Sequence, residues 1–199
     1  MNFKKIKKIA KGWSSYIWLA EDEKRRKVII KEVREKSPRK DLATREGQML
    51  LKANKVFVGP KIIEINYEEN FVVMEHIKGN KLVDWIFSEE FNHSVSREQY
   101  YDFVKELYKQ CMALDKINLS HNQLEGGKNI LVIKKVTPSK NKSKPTKQNI
   151  KYFPIIIDFE KATIKKTHTK NIGQIESMIF YNPYNELTKK SREKLNAYL

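Results

Sequence analysis

Two stretches of the chain hold residues whose types and placing could do chemistry. In "LSHNQLEGGKNILV", Leu119 to Val132, a histidine turn and a glycine pair lead through Asn129 into a short apolar strand. In "FPIIIDFEKA", a run of apolar residues ends on Asp158. Asn129 and Asp158 are hard oxygen donors, one just before a strand and one just after another, and a hairpin of those strands would bring them together. A carboxylate beside an amide oxygen suits Mg²⁺ or Mn²⁺ completed by phosphate oxygens. Two turn residues capping a hairpin would look the same.

Three further constellations precede these. Ala10-x-Gly12-x-x-Ser15-x-Ile17 is a turn of small residues between two β-prone runs. Backbone N–H groups can approach a phosphate closely only where side chains are small, although an ordinary hairpin turn gives the same pattern. Lys31 lies in the alternating strand "KVIIKEV", where a lysine ordinarily faces solvent. Glu46 on the helix that follows can reach it, with Glu35 as a competitor, and a Lys–Glu ion pair of this kind holds an ammonium against nucleotide phosphates. Finally, "FVVMEHIKGNKL" leaves a strand through Met74, Glu75, His76 and Ile77, a connection able to offer backbone groups to an adenine edge.

The elements that must position these residues follow from periodicity. Short β-branched and aromatic runs dominate Phe3 to Asn80, namely "KKIKKIAKGWSSYIWLAED", "RKVIIKEV", "KIIEINYEE" and "NFVVMEHI". One helix interrupts them, with Leu42, Arg45 or Glu46, Met49 and Leu50 at helical spacing and Asp41 as its expected cap. Beyond Lys81 the pattern changes to a long helix carrying Tyr100, Phe103, Val104, Leu107, Cys111 and Leu114 on one face. A capping box between Ser96 and Glu98 misses by one position. "NILVIKK" and "YFPIIIDF" form a hairpin whose connection, 134–151, holds seven lysines and no acid and reads as a mobile basic loop. The tail is helical, broken at Pro183.

Bulk composition bounds the function. With 199 residues and 40% hydrophobic content the chain can bury a sizeable core. Its apolar runs are too short to cross a bilayer, and "MNFKKIKKIAKGW" lacks the apolar centre of a signal peptide, so the expectation is a cytoplasmic protein without a membrane partner. Cys111 is the one cysteine, which excludes an internal disulfide, and the four histidines have no ligand spacing. A net charge of +16 attracts phosphates, whether of a nucleotide or of RNA, and the basic loop is the candidate RNA contact. Lysine- and glutamate-rich composition also serves heat-adapted proteins through exposed ion pairs.

The order of these signals resembles the protein-kinase superfamily over nearly the whole chain, closest to compact archaeal atypical serine/threonine kinases related to RIO kinases and the KEOPS kinase subunit. The resemblance implies an α+β, two-lobed protein-kinase-like fold with a reduced C-terminal lobe: a β-rich lobe over 1–77 and a mostly helical lobe over 78–199. By that resemblance Gly12, Ser14, Ser15 and Ile17 would cover ATP, Lys31 and Glu46 would pair at its phosphates, Met74, Glu75 and Ile77 would hold adenine, and Asn129 and Asp158 would hold Mg²⁺ or Mn²⁺. A protein would accept the phosphoryl group. The chain departs from the pattern H-x-D-L-x-x-x-N, because Gln123 stands where the aspartate belongs and the loop is one residue longer. An amide can orient a hydroxyl but cannot take its proton, which leaves Glu125 as a second candidate for the catalytic role. Glu160 follows Asp158-Phe159 where the family usually has glycine, and the chain after Lys161 is too short for an activation segment. The alternative is a nucleotide-binding pseudokinase or an ATPase, acting as a partner in an RNA-processing or tRNA-modification assembly.

Overall fold

The computed structural model describes residues 2–37, 39–137 and 149–195. Strands β1 (Lys4–Lys11), β2 (Ser15–Glu21), β3 (Lys27–Val33), β4 (Ile62–Asn66) and β5 (Phe71–Glu75) form an antiparallel sheet in the order β1-β2-β3-β5-β4. One face buries Ala20, Val28, Ile30 and Val73 in a small core under Phe3 and Trp18. The other carries Lys31, in register with Ile17 of β2 and Val72 of β5. That register places the lysine in mid-sheet, under whatever lies against this face.

The helix predicted after β3 begins as a π-helical turn, Ala43–Gly47, and continues as α1 (Gln48–Asn54). Asp41 does not cap it: Leu42 holds the cap position with no side-chain bond, and Asp41 contributes its backbone carbonyl to Arg45 N–H and a long 3.7 Å pairing to the Arg45 side chain. The wider π turn leaves Ala43, Glu46 and Gly47 buried against the sheet.

Beyond β5, the two-residue strand β6 (Asn80–Lys81) pairs with β8 (Ile130–Thr137), which pairs with β9 (Asn149–Ile156). Between them lie α2 (Leu82–Ile86), α3 (Glu89–His93), the long α4 (Arg97–Lys116) and the two-residue strand β7 (Leu119–Ser120). The apolar stripe read from the sequence is the buried stripe of α4, and Cys111 is among its fully buried members. Its capping box is complete through Gln99 rather than Glu98: Gln99 N–H donates to Ser96 Oγ at 3.1 Å, and Ser96 N–H donates to Gln99 Oε1 at 2.8 Å. Counting from Ser96 as the cap makes Gln99 the third helical residue, the position the motif requires. Trp85 sits among Phe91, Tyr100, Phe103 and Tyr152, with ring centroids 4.9 to 6.1 Å away, and fixes α2, α3, α4 and β9 together.

The expected basic loop is shorter than 134–151, because the β8–β9 ladder continues through Lys135↔Lys151 to Thr137↔Asn149. Its central lysines, Lys140, Lys142, Lys144 and Lys147, and the expected mobility there lie outside the described residues. After β9 come a 3₁₀ turn (Phe159–Lys161), β10 (Thr163–Ile164), α5 (Asn171–Glu176), a π turn (Ser177–Tyr181) and α6 (Glu186–Leu195). The helical break falls at Asn182–Asn185, around Pro183 as expected. Among the described residues no helix is long and apolar enough to cross a membrane.

Candidate functional site

A cleft of about 440 Å³ opens between the inner face of the first sheet and the segments that follow α4 and β9. Its roof is the β1–β2 turn. Arg34 Nη1 donates to the carbonyls of Gly12 and Trp13, each at 2.9 Å, and Gly12 N–H donates to Ser15 O at 2.8 Å. These bonds hold the turn down over Lys31. A β-carbon at Gly12 would come no closer than 3.5 Å to Ser15, so the turn's own packing does not demand glycine there. Space above the backbone is what Gly12 leaves.

Lys31 organises the cleft. Its ammonium lies 2.6 Å from Glu46 Oε2 and 2.7 Å from Asp158 Oδ1, with Glu160 Oε2 at 3.8 Å. Lys31 and Glu46 are almost wholly buried, whereas Glu35, the competing partner, is exposed. Burial by itself lowers a lysine's pKa, but the Glu46 and Asp158 carboxylates outweigh it and hold the ammonium well above its ordinary value. For Asp158, burial pushes upward and the Lys31 charge and hydrogen bond pull more strongly down, so the carboxyl stays below the usual range. Glu46 is pushed up by burial, which Lys31 opposes while Asp158 and Glu160 add to it. A buried ammonium shared by two carboxylates is a fixed positive charge facing the cleft.

The floor comes from the two stretches first singled out. Ile157 N–H donates to Asn129 O at 2.9 Å, continuing the hairpin so that Asn129 and Asp158 flank one another across its end. Asn129 Nδ2 donates to Gln123 O at 3.1 Å, which leaves Oδ1 as the atom a metal would take. With the Asp158 carboxylate this is a hard-oxygen donor set of the type Mg²⁺ or Mn²⁺ accepts. Asp158 itself has left-handed backbone, φ 65° and ψ 71°, which turns the chain sharply at the end of the strand. Beneath, the fully buried His121 is bonded through Nε2 to Ile157 O at 2.9 Å and packs edge-on against Phe159. Asn122 Nδ2 donates to Lys161 O at 2.8 Å, and Asn171 ties the His121 backbone to Asp115 and Leu119. The loop after α4 and the segment after β9 are thus tied to one another.

The remaining expected residues separate. Ser14, Ser15, Ile17 and Gln123 line the cleft with Gly12, Lys31 and Asp158. Glu125 does not: it is exposed, beside Lys170 and Gln174 in a different depression. The reason is Gly127, whose left-handed φ of +64° tucks the loop so closely against Leu187 that a β-carbon would lie 2.8 Å from it. That turn leaves Glu125 outside the lining of the cleft that holds Lys31 and Gln123. Met74, Glu75, Ile77 and also Asn129 lie beyond the lining of the cleft, Asn129 being joined to it through its bond to Gln123 O. Glu75 N–H is already given to Lys61 O, whereas no backbone hydrogen bond of Ile77 is made to the described residues.

Four residues the sequence did not single out as ligands also line the cleft, Trp13, Arg39, Glu160 and Lys161, and two of them bond across it. Glu160 is buried and joins the roof to the floor: Ser14 Oγ donates to Oε2 at 2.6 Å and Arg39 Nη1 to Oε1 at 2.7 Å. The unexpected carboxylate after Asp158-Phe159 was the one available signal. Arg39, in an irregular segment before the π turn, had none.

No protein-family model matches the sequence, and no curated protein matches it. Among solved structures the chain is similar to Rio2 kinase from Chaetomium thermophilum, in a complex described as ADP/Mg²⁺-phosphoaspartate, with a TM-score of 0.59 and 18% sequence identity. The match covers 96% of this chain and 61% of that one. At this identity the likeness shows the fold: the chain has the two-lobed, protein-kinase-like α+β architecture.

Proposed function

We propose that the protein binds ATP with Mg²⁺ or Mn²⁺ in this cleft and transfers the terminal phosphoryl group to a serine or threonine of a protein acceptor. The observation that carries the reading is the buried Lys31–Glu46 pair aimed at Asp158 across the cleft, in a chain whose fold is that of a kinase. Phosphoryl transfer asks little covalent chemistry of the protein; it asks for positioning and for positive charge at the phosphates. Lys31 supplies the charge and Glu46 fixes its direction. Asp158 and Asn129 would hold the divalent cation, which when bound neutralises phosphate charge. Gln123 orients the acceptor hydroxyl without taking its proton, so general-base assistance, commonly worth ~10²–10⁴-fold, is forgone. The complex of Rio2 kinase with ADP and Mg²⁺ supports nucleotide and magnesium as the ligands.

The amide at Gln123 also favours a second reading, a nucleotide-binding pseudokinase or ATPase that works as a partner of other macromolecules. Incubation with γ-labelled ATP and either metal separates the readings. Label on protein supports the kinase, and free phosphate alone supports the ATPase. Binding without turnover supports the pseudokinase, and absence of nucleotide binding overturns all three.

A further inference from the structure

The carboxylate of Glu160 gathers a hydroxyl from Ser14 at 2.6 Å, a guanidinium from Arg39 at 2.7 Å and, at 3.8 Å, the Lys31 ammonium. The residue is 8% exposed, and all three donors line the cleft. Its own turn does not need these bonds. Ala162 N–H closes the turn on Phe159 O at 3.0 Å, and the Phe159 ring anchors it in the core. A hydroxyl, a guanidinium and an ammonium converging on one anion with two terminal oxygens is the donor set that a phosphate group takes, with Arg suited to bridging its oxygens.

We propose that Glu160 stands in for a phosphate: in the free protein it occupies the position of the nucleotide's terminal phosphate, and Ser14 and Arg39 are that phosphate's ligands once Glu160 is displaced. This rests on the cleft being a nucleotide site and names residues that discriminate by phosphate number. Arg39 is built to change partners. Ser37 Oγ accepts from Arg39 N–H at 3.0 Å and donates to Arg39 O at 2.8 Å, which fixes the backbone, while the side chain is one-third exposed and held at its tip by Glu160. Charge supports the exchange. Lys31 and Arg39 face three carboxylates, Glu46, Asp158 and Glu160, so an entering polyanion gains both cations only when Glu160 gives way. A ligand whose phosphates stop short of Arg39 obtains no such exchange.

Calorimetric titration of wild type, Glu160→Gln and Arg39→Ala with adenosine, a non-hydrolysable ATP analogue and inorganic tripolyphosphate, with and without Mg²⁺, tests this. Removing the competing charge in Glu160→Gln should tighten the analogue and tripolyphosphate about ten- to hundredfold, the worth of a charge-assisted bond or two, and leave adenosine unchanged. Arg39→Ala should weaken the same two ligands by a similar factor, again sparing adenosine. Thermal melts confirm that each variant is folded. If Glu160→Gln weakens the analogue or changes nothing, or if adenosine shifts equally, Glu160 is a structural latch and the inference fails while the nucleotide reading stands. Tripolyphosphate behaving as expected with no adenosine-containing ligand bound would keep the phosphate position and overturn the nucleotide reading alone.

Discussion

Lys31 Nζ and Glu46 Oε2 are 2.6 Å apart, and their side chains are 7% and 1% exposed. An ion pair so deeply buried is costly to break from one side, since the surviving charge is left without a partner; such losses run to roughly 3–5 kcal/mol. Lys31→Met and Glu46→Leu should therefore each destabilise the fold by several kcal/mol, and the double variant by clearly less than their sum. Asp158 remains near the lysine and softens the loss at Glu46. Chemical denaturation of all four proteins gives the coupling, and additive effects would mean that the two side chains do not act together.

Asp158→Asn keeps shape and removes charge. The variant should remain folded and lose the Mg²⁺-dependent part of its affinity for a non-hydrolysable ATP analogue, while metal-free binding changes little or improves. Titration with and without Mg²⁺ measures the difference, and a metal effect equal to that of wild type would rule out Asp158 as a ligand.

The divergence of Gln123 and Glu125 predicts opposite sensitivities. Glu125→Gln should leave turnover of labelled ATP within about twofold, because its carboxylate faces a different depression. Gln123→Ala removes a positioning hydrogen bond and should slow turnover roughly five- to tenfold, the kinetic worth of about 1 kcal/mol. A large defect in Glu125→Gln would mean that the loop refolds inward during catalysis.

His121 makes stability depend on pH. Burial lowers its pKa below the ordinary 6.5, although Ile157 O and Asp158 favour the charged form. Since a carbonyl only accepts, Nε2 carries the proton, and Nδ1 is buried without a partner. The unfolded chain takes up a proton near pH 6.5 that the folded chain refuses until lower pH, so stability is complete above 6.5 and declines on acidification. The slope due to this one group reaches at most about 1.4 kcal/mol per pH unit. Comparing denaturation of wild type and His121→Gln between pH 7.5 and 5.5, roughly one unit either side of histidine's ordinary pKa, should isolate it; parallel curves would show that His121 titrates normally.

Much of this site was legible before any fold was in hand, for a reason that differs by residue. Asn129 and Asp158 could be paired because strands state their register: apolar runs of matching length with donors at corresponding ends leave few ways to form a hairpin. Lys31 and Glu46 could be paired because a strand and the helix after it face each other across a short connection. Arg39 and Glu125 escaped because their placing depends on irregular backbone. Arg39 is aimed by a serine turn in an aperiodic segment, and Glu125 is swung out by the left-handed Gly127 pressing on a helix 60 positions later in the chain. The complete cap of α4 was missed by counting, since Gln99 was present in the sequence throughout.

Asp158 holds a left-handed backbone, φ 65° and ψ 71°. Most residues with a β-carbon lose roughly 1–2 kcal/mol there, while glycine and asparagine tolerate it. Single-base changes to an aspartate codon reach both of these, and also alanine, valine, glutamate, histidine and tyrosine. Drift at this codon is therefore channelled: asparagine or glycine removes the carboxylate and spares the turn, whereas the other five put a residue less suited to left-handed backbone there. Under the proposed phosphoryl transfer, descendants that have given it up should carry Asn or Gly here in an otherwise intact protein, so that the identity of the replacement distinguishes loss of the site from loss of the fold.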